Sequence, residues 1–423
     1  MGDPSRYRAR RRGFLAVATL AVAASTAGRG DGAGDAQPLS ARELFSDQPK
    51  GLGEHMAAWK FVYTGESFAD VAGGLRQGVV FDGMAKLGVG FNLEKIAGWG
   101  GASIYVNTIF PHGESLSQNH TGDLGVVSNI DTYDGVRLYK LWFQQLLDDG
   151  RWSLRIGQIA ADKECFVSEG ASLYLNNSFG TFPVVGANLP APIFPLSSPG
   201  FRARWAPGEA FSVMAMVLSG DVGTPVSNPH NVTWRHDARD GVFGVAEMAY
   251  RTHTAPDDLR LRGVFKLGVF ADTKPFDDLD GRPEHRGDGG MYAIADQWVY
   301  RERGGEGDGP RGLSVFVRAG TATGSDRNRV VFDAEAGVDY TGLVPSRGRD
   351  ITGIALAYTR LGAPAVRAAG GGGDREMVAE LTHLFVVGEH LAIQPDLQYI
   401  VDPGGSGRIP DAFVAGLRLT LSY

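Results

Sequence analysis

The stretch AFVAGLRLTLSY, residues 412–423, reads in steps of two. Phe413, Ala415, Leu417, Leu419, Leu421 and Tyr423 alternate with Val414, Gly416, Arg418, Thr420 and Ser422. A period of two belongs to a strand, whose successive side chains point to opposite faces. Here one face is apolar and the other carries a charge and hydroxyls. The stretch also stops on an aromatic residue, where the last strand of a water-soluble domain usually leaves a few frayed residues.

The same pattern recurs along the chain from residue 56 onward. Clear segments are Val79 to Asn92, Ser103 to Phe110, Tyr139 to Leu147, Trp152 to Ile159, Phe211 to Leu218, Val242 to Arg251 and Leu259 to Ala271. Further along come Met291 to Glu302, Leu313 to Thr321, Val330 to Thr341, Ile351 to Arg360, Met377 to Phe385, Ile393 to Val401 and the closing strand. With weaker segments at Trp59 to Glu66 and Phe201 to Trp205 the count is about sixteen. Tight linkers such as Asp148-Asp149-Gly150 and Ala206-Pro207-Gly208 alternate with long polar ones at 111–132, 219–241, 273–289 and 363–374. A longer stretch, 161–200, is rich in Pro, Asn and aromatics, and a loop of that length in a compact architecture is usually functional.

The polar faces are charged. Asp333, Glu335 and Asp339 oppose Phe332, Ala334, Ala336, Val338 and Tyr340; Gln394, Asp396 and Gln398 oppose Leu397 and Tyr399. Arg260, Arg262 and Lys266 oppose Leu261, Phe265, Leu267 and Val269, while Asp82 and Lys86 oppose Phe81 and Leu87. A soluble sandwich could show such faces, but its strands average about five or six residues, whereas a tilted strand needs about 9–11 to cross a bilayer. So many strands in an open sheet would also leave edges, which closure removes. The expected fold is therefore all-β: a transmembrane antiparallel β-barrel of about sixteen strands, with a long loop folded inward as a constriction. In a barrel of that size the lumen holds water and the charged faces line it.

Composition agrees. Gly is abundant at 60 of 423 residues, and 43% of residues are hydrophobic. Mean hydropathy of −0.12 is too polar for a bundle of membrane helices. Cys165 is the only cysteine, which excludes an intramolecular disulfide and a cysteine-based zinc site. Net charge is −7, and no basic stripe suits a nucleic-acid partner. At the N-terminus, Arg6, Arg8, Arg10, Arg11 and Arg12 precede an apolar run from Phe14 to Ala24 and the small residues Ser25 and Ala27. This is the layout of an export signal over 1–27. The general secretion route is preferred, although Arg11-Arg12-Gly13-Phe14-Leu15 resembles a twin-arginine signal. Residues 28–55 are expected to be a periplasmic segment and 56–423 the barrel.

Several segments resemble the carbohydrate-selective porins of the OprB type: TGESFADVAGGLRQG (64–78), NLEKIAGWGGASIYV (92–106), LSQNHTGDLGVVSNI (116–130), RIGQIAADKECFVSE (155–169), LYLNNSFG (173–180), MYAIADQWVYR (291–301) and QPDLQYIVDPGG (394–405). At Ala72-Gly73-Gly74 the glycines of the family's Trp-Gly-Gly segment are kept, with Ala in place of Trp. The resemblance implies a sixteen-stranded outer-membrane channel for small sugars, narrowed by inward loops, with a terminal aromatic, here Tyr423, read by the barrel assembly machinery. It implies no cofactor.

A sugar is neutral and covered in hydroxyls, so its path needs donors, acceptors and aromatic faces with mixed charge. The wall candidates are Asp82, Lys86, Arg260, Arg262, Lys266, Asp333, Glu335, Asp339, Gln394, Asp396, Gln398 and Arg418. Asn119, His120, Asn176, Asn177, Phe179 and Phe182 are loop candidates for the constriction. The same wall charges could instead pair with one another and stiffen the barrel. No catalytic constellation and no metal cluster stands out. The alternatives are a general or anion-preferring porin, a barrel enzyme of the outer membrane, or a soluble sugar-binding β-protein. If the facing is right, Leu419→Arg should impair assembly and Thr420→Arg should be tolerated.

Overall fold

The computed structural model describes residues 49, 51–234, 237, 239–254, 260–302 and 310–423. The export signal and nearly all of 28–50 lie outside these residues. The strands are β1 (Ala57–Ala72), β2 (Gly78–Asn92), β3 (Ala102–Gly113), β4 (Arg137–Leu147), β5 (Trp152–Ile159), β6 (Ser198–Trp205), β7 (Phe211–Ser219) and β8 (Val242–Thr252). They continue as β9 (Gly263–Phe276), β10 (His285–Arg301), β11 (Gly312–Ala322), β12 (Val330–Thr341), β13 (Ile351–Leu361), β14 (Arg375–Val387), β15 (Leu391–Val401) and β16 (Ala412–Ser422). Each pairs antiparallel with the next, and β16 returns to β1 to close a sixteen-stranded barrel.

Closure follows from the period of two. On β16, Leu417, Leu419 and Leu421 are 37–45% exposed on the outside, while Arg418 and Thr420 are buried within. On β12, Phe332 and Val338 face out, and Asp333, Glu335 and Asp339 face in. Alternation is weaker on β7, where Val213 and Val217 face out and Met214, Met216 and Leu218 face in. There the inner side chains pack on loop residues Phe182, Val184 and Leu189, so the inner face is dry.

One end of the barrel carries short connections, such as 148–151, 206–210 and 388–390. The other carries longer loops, including 114–136, 160–197, 220–241, 362–374 and 402–411. By the usual asymmetry of outer-membrane barrels the long-loop end is extracellular. The sequence reading of 273–289 as a long loop is corrected. Strands β9 and β10 stay paired out to Phe276 and His285, leaving only 277–284 between them. Beyond the bilayer a strand needs no apolar face, so the hydropathy cue lapses while the hydrogen bonds continue. The tight β1–β2 turn depends on Gly73, at φ +83°, where a Cβ would lie 1.7 Å from the carbonyl oxygen of Asp411.

Candidate channel and its constriction

The loop 160–197 folds into the lumen, and the wall holds it by its backbone. Glu247 on β8 accepts from the Phe166 amide at 3.2 Å and from the Tyr292 hydroxyl at 2.7 Å. Asp296 on β10 accepts from the Ser168 hydroxyl and from the amides of Glu169 and Gly170 at 2.5–3.2 Å. Asp339 on β12 takes the Tyr174 hydroxyl at 2.8 Å. Glu380 on β14 takes the amides of Leu175 and Asn176 at 2.6 and 2.9 Å. The loop thus crosses the inner wall strand pair by strand pair, then doubles back so that the Val184 amide meets Asp333 at 2.7 Å. A carboxylate accepting amide hydrogen bonds is a strong, charge-assisted anchor.

Other wall groups complete the grip. Arg318 pairs with Glu335 at 2.7 Å and donates to the carbonyls of Ser178, Phe179 and Gly180, with its guanidinium 4.1 Å from the centre of the Phe182 ring. Gln394 donates to the Leu173 carbonyl, and Gln398 bonds both the Asn176 amide side chain and the Val127 carbonyl. Gln398 also holds Asp396 at 2.8 Å. The second inward loop, 114–136, is fixed by Glu376, which accepts from Leu124 and Gly125. Arg418 pairs with Glu66 at 2.5 Å and reaches Asn129, and Ser128 donates to the same Glu66.

Every strand-borne candidate from the sequence faces inward, but most do not face open water. Asp333, Glu335, Asp339, Gln394, Asp396, Gln398 and Arg418 are buried against the loops, as are Asn176, Phe179 and Phe182 on the loop side. Where the sequence reading expects them on the water path, Asp333, Asp339, Gln394, Gln398 and Arg418 are bonded to the inserted loops. Asp82 is buried too. Asn177 is half-buried, with its amide on the Val126 carbonyl. Asn119 and His120 meet the β1–β2 turn, where Arg76 donates to the Asn119 carbonyl and the His120 ring contacts the Arg76 carbonyl. They sit at the long-loop end of the barrel. Arg260 and Arg262 precede β9 and are exposed in the β8–β9 connection, so they are not wall residues. A charge pattern that runs into a turn keeps its period in the sequence but loses its face. Lys86 and Lys266 do face inward with partial exposure, and Lys266 donates to the Val167 carbonyl at 2.7 Å.

The sequence reading missed the basic wall of β4 to β8. Arg155, Arg202, Arg204 and Arg251 all point inward: Arg155 and Arg202 face each other across the β5–β6 ladder, as do Ser153 and Arg204. Gln144 accepts from Arg155 at 2.7 Å and from Arg202 at 3.4 Å. Arg251 donates to Ser212 at 3.3 Å. Glu164, on the inward loop, pairs with Arg155 and lies 3.3 Å from Arg202. The Arg155 guanidinium stands 3.9 Å over the Trp142 ring. The signal is present, since Arg202 and Arg204 alternate with Phe201 and Trp205, but the segment is short.

A family model for carbohydrate-selective porins, the OprB family, matches residues 76–423. The chain is similar to Porin B of Pseudomonas aeruginosa, with 27% identity over 418 residues, 85% of this chain and 86% of the relative. Its fold matches the high-pH structure of Pseudomonas putida OprB at a TM-score of 0.76 and 22% identity, covering 87% of this chain and 94% of the other. It matches the outer-membrane channel DcaP of Acinetobacter baumannii at 0.54 and 12% identity, covering 87% and 97%. Family and fold point to a channel and not to an enzyme. The chain belongs to the OprB family of carbohydrate-selective porins, a bacterial outer-membrane barrel for passive diffusion of carbohydrates.

Proposed function

We propose that sugars cross the barrel along the strip between the β4–β8 arginines and the 160–197 loop. The observation that carries this reading is the network of Arg155, Arg202, Gln144 and Glu164. It sets donors and acceptors in fixed positions on the inner surface, with Gln144 and Arg155 partly exposed and Arg202 buried. A neutral polyhydroxylated solute exchanges its water hydrogen bonds for these and gives them back on leaving, which is what conduction by a selective path requires. Lys86, Lys266, Arg204 and Arg251 extend the strip with partly exposed inward side chains. The buried candidates, from Asp333 to Arg418, act on the path by holding the loops. The export signal over 1–27 and the periplasmic segment 28–55 deliver and precede the barrel of 56–423 in this reading.

The test is single-channel recording in planar bilayers with a series of neutral sugars. At least one sugar should block the ionic current with a saturating dose dependence. The surplus of arginine should make the ionic current anion-preferring. Arg204→Ala with Arg251→Ala should shift the reversal potential toward cations and weaken the block by about tenfold, the effect of losing about 1.5 kcal/mol of charged hydrogen bonding. An anion-preferring current that no sugar blocks would overturn the assignment of the path to sugars.

A further inference from the structure

On the outer wall at the long-loop end, the β13–β14 register sets Arg360 directly opposite Arg375. Like charges at a cross-strand pair repel, so this pairing is unfavourable without a counter-charge. Both residues face outward: Arg360 shares its face with Ile354 and Leu356, and Arg375 shares its face with Met377 and Leu381, all exposed. Arg329, also exposed, sits in the neighbouring β11–β12 connection, and its carbonyl accepts from the Gly362 amide at 2.9 Å just past the end of β13.

Among the described residues, none of these three guanidiniums makes a side-chain hydrogen bond or an ion pair. Nearby arginines do: Arg327 pairs with Asp326 and Arg367 with Asp280. The adjacent acids leave the three unneutralised. Glu376 faces inward and holds loop amides, and Asp374 forms no ion pair with them. An apolar band begins level with Arg360 and continues below it. Phe332 on β12 is opposite Arg360, its ring 6.4 Å from that of Tyr358, and Met377 is next on the same face as Arg375.

We infer that Arg360, Arg375 and Arg329 bind the phosphate group of a phosphorylated lipid in the outer leaflet, with its acyl chains against Phe332, Tyr358 and Met377. The guanidinium fork matches phosphate oxygens bidentately, and one dianion between two repelling arginines turns the unfavourable pair into a bridged one. The source is a lipid headgroup and not free phosphate, because the arginines top a lipid-facing wall beside exposed apolar side chains. The height suits this: the three sit where the apolar band gives way to the long loops, at the level of headgroups.

The experiment uses the full-length protein in detergent, delipidated and then titrated with bisphosphorylated lipid A, with bound lipid counted by native mass spectrometry. Wild type should bind, and Arg360→Gln with Arg375→Gln should weaken binding at least tenfold. Arg151→Gln, in the β4–β5 turn at the opposite end, should bind as wild type does. Dephosphorylated lipid A should bind wild type no better than it binds the double variant. Without lipid, the double variant should melt at the same temperature as wild type or higher, because the repulsion is gone. Equal binding of lipid A by wild type and double variant would overturn the proposal. So would inorganic phosphate at millimolar concentration displacing the lipid completely, or a double variant that melts lower than wild type without lipid.

Discussion

Leu419 and Thr420 are neighbours in the chain and meet different surroundings. Leu419 is 44% exposed on the lipid face, whereas Thr420 is 3% exposed inside. Arginine on the lipid face near the bilayer midplane costs about 2–4 kcal/mol, so Leu419→Arg should lower the yield of heat-modifiable barrel on gels. Its inward neighbour is buried, where the sequence reading expects an open lumen. Thr420 lies in the closing seam opposite Thr64, without room for a guanidinium, so Thr420→Arg should also impair folding. A polar-to-polar change inside the barrel is harmless only where the lumen is open. Lys86 and Arg204 are such places and Thr420 is not. Facing is readable from a residue's parity, but crowding depends on which loop lies over it.

The decisive element is the 160–197 loop. Its amides, which no strand satisfies, are bonded by carboxylates from β8, β10 and β14 and by Asp333 on β12. Glu380→Ala would orphan two buried amides, at about 1–3 kcal/mol each. The expected outcome is a loop that samples positions off the wall, seen as larger and noisier single-channel conductance with the barrel's heat-modifiability retained. Unchanged conductance would show that the Asp296 and Asp333 anchors suffice. The strand elements were legible nearly residue by residue, as β5 and β12 show, because lipid on one side and water or loop on the other enforce a period of two. The loop was legible only as a long segment rich in Asn, Pro and aromatics. Its partners are distant in sequence, as with Asn176 and Gln398, and no local pattern couples them.

At the scale of the molecule, stability rests on closure. Phe61 and Tyr423 exchange amide and carbonyl hydrogen bonds at 2.8 and 2.9 Å, and the Tyr423 ring stacks on His390 at 4.7 Å. Tyr423→Ser keeps the backbone pair and removes the ring. If the aromatic ring is what the assembly machinery reads, the variant should fold normally from denaturant into detergent but reach the outer membrane slowly in cells. Equal rates in cells would refute that role for Tyr423.

By itself the sequence determined the number of strands, their alternation, the inward direction of Asp333, Gln398 and Arg418, and closure into a barrel. These follow from local periodicity against a two-phase environment, which acts on every strand in the same way. The tertiary structure alone decided which inward residues touch the water path. The inserted loops bury one part of the wall, Arg202 included, and leave Arg155, Arg204 and Arg251 partly exposed, and that division depends on contacts between residues more than a hundred positions apart.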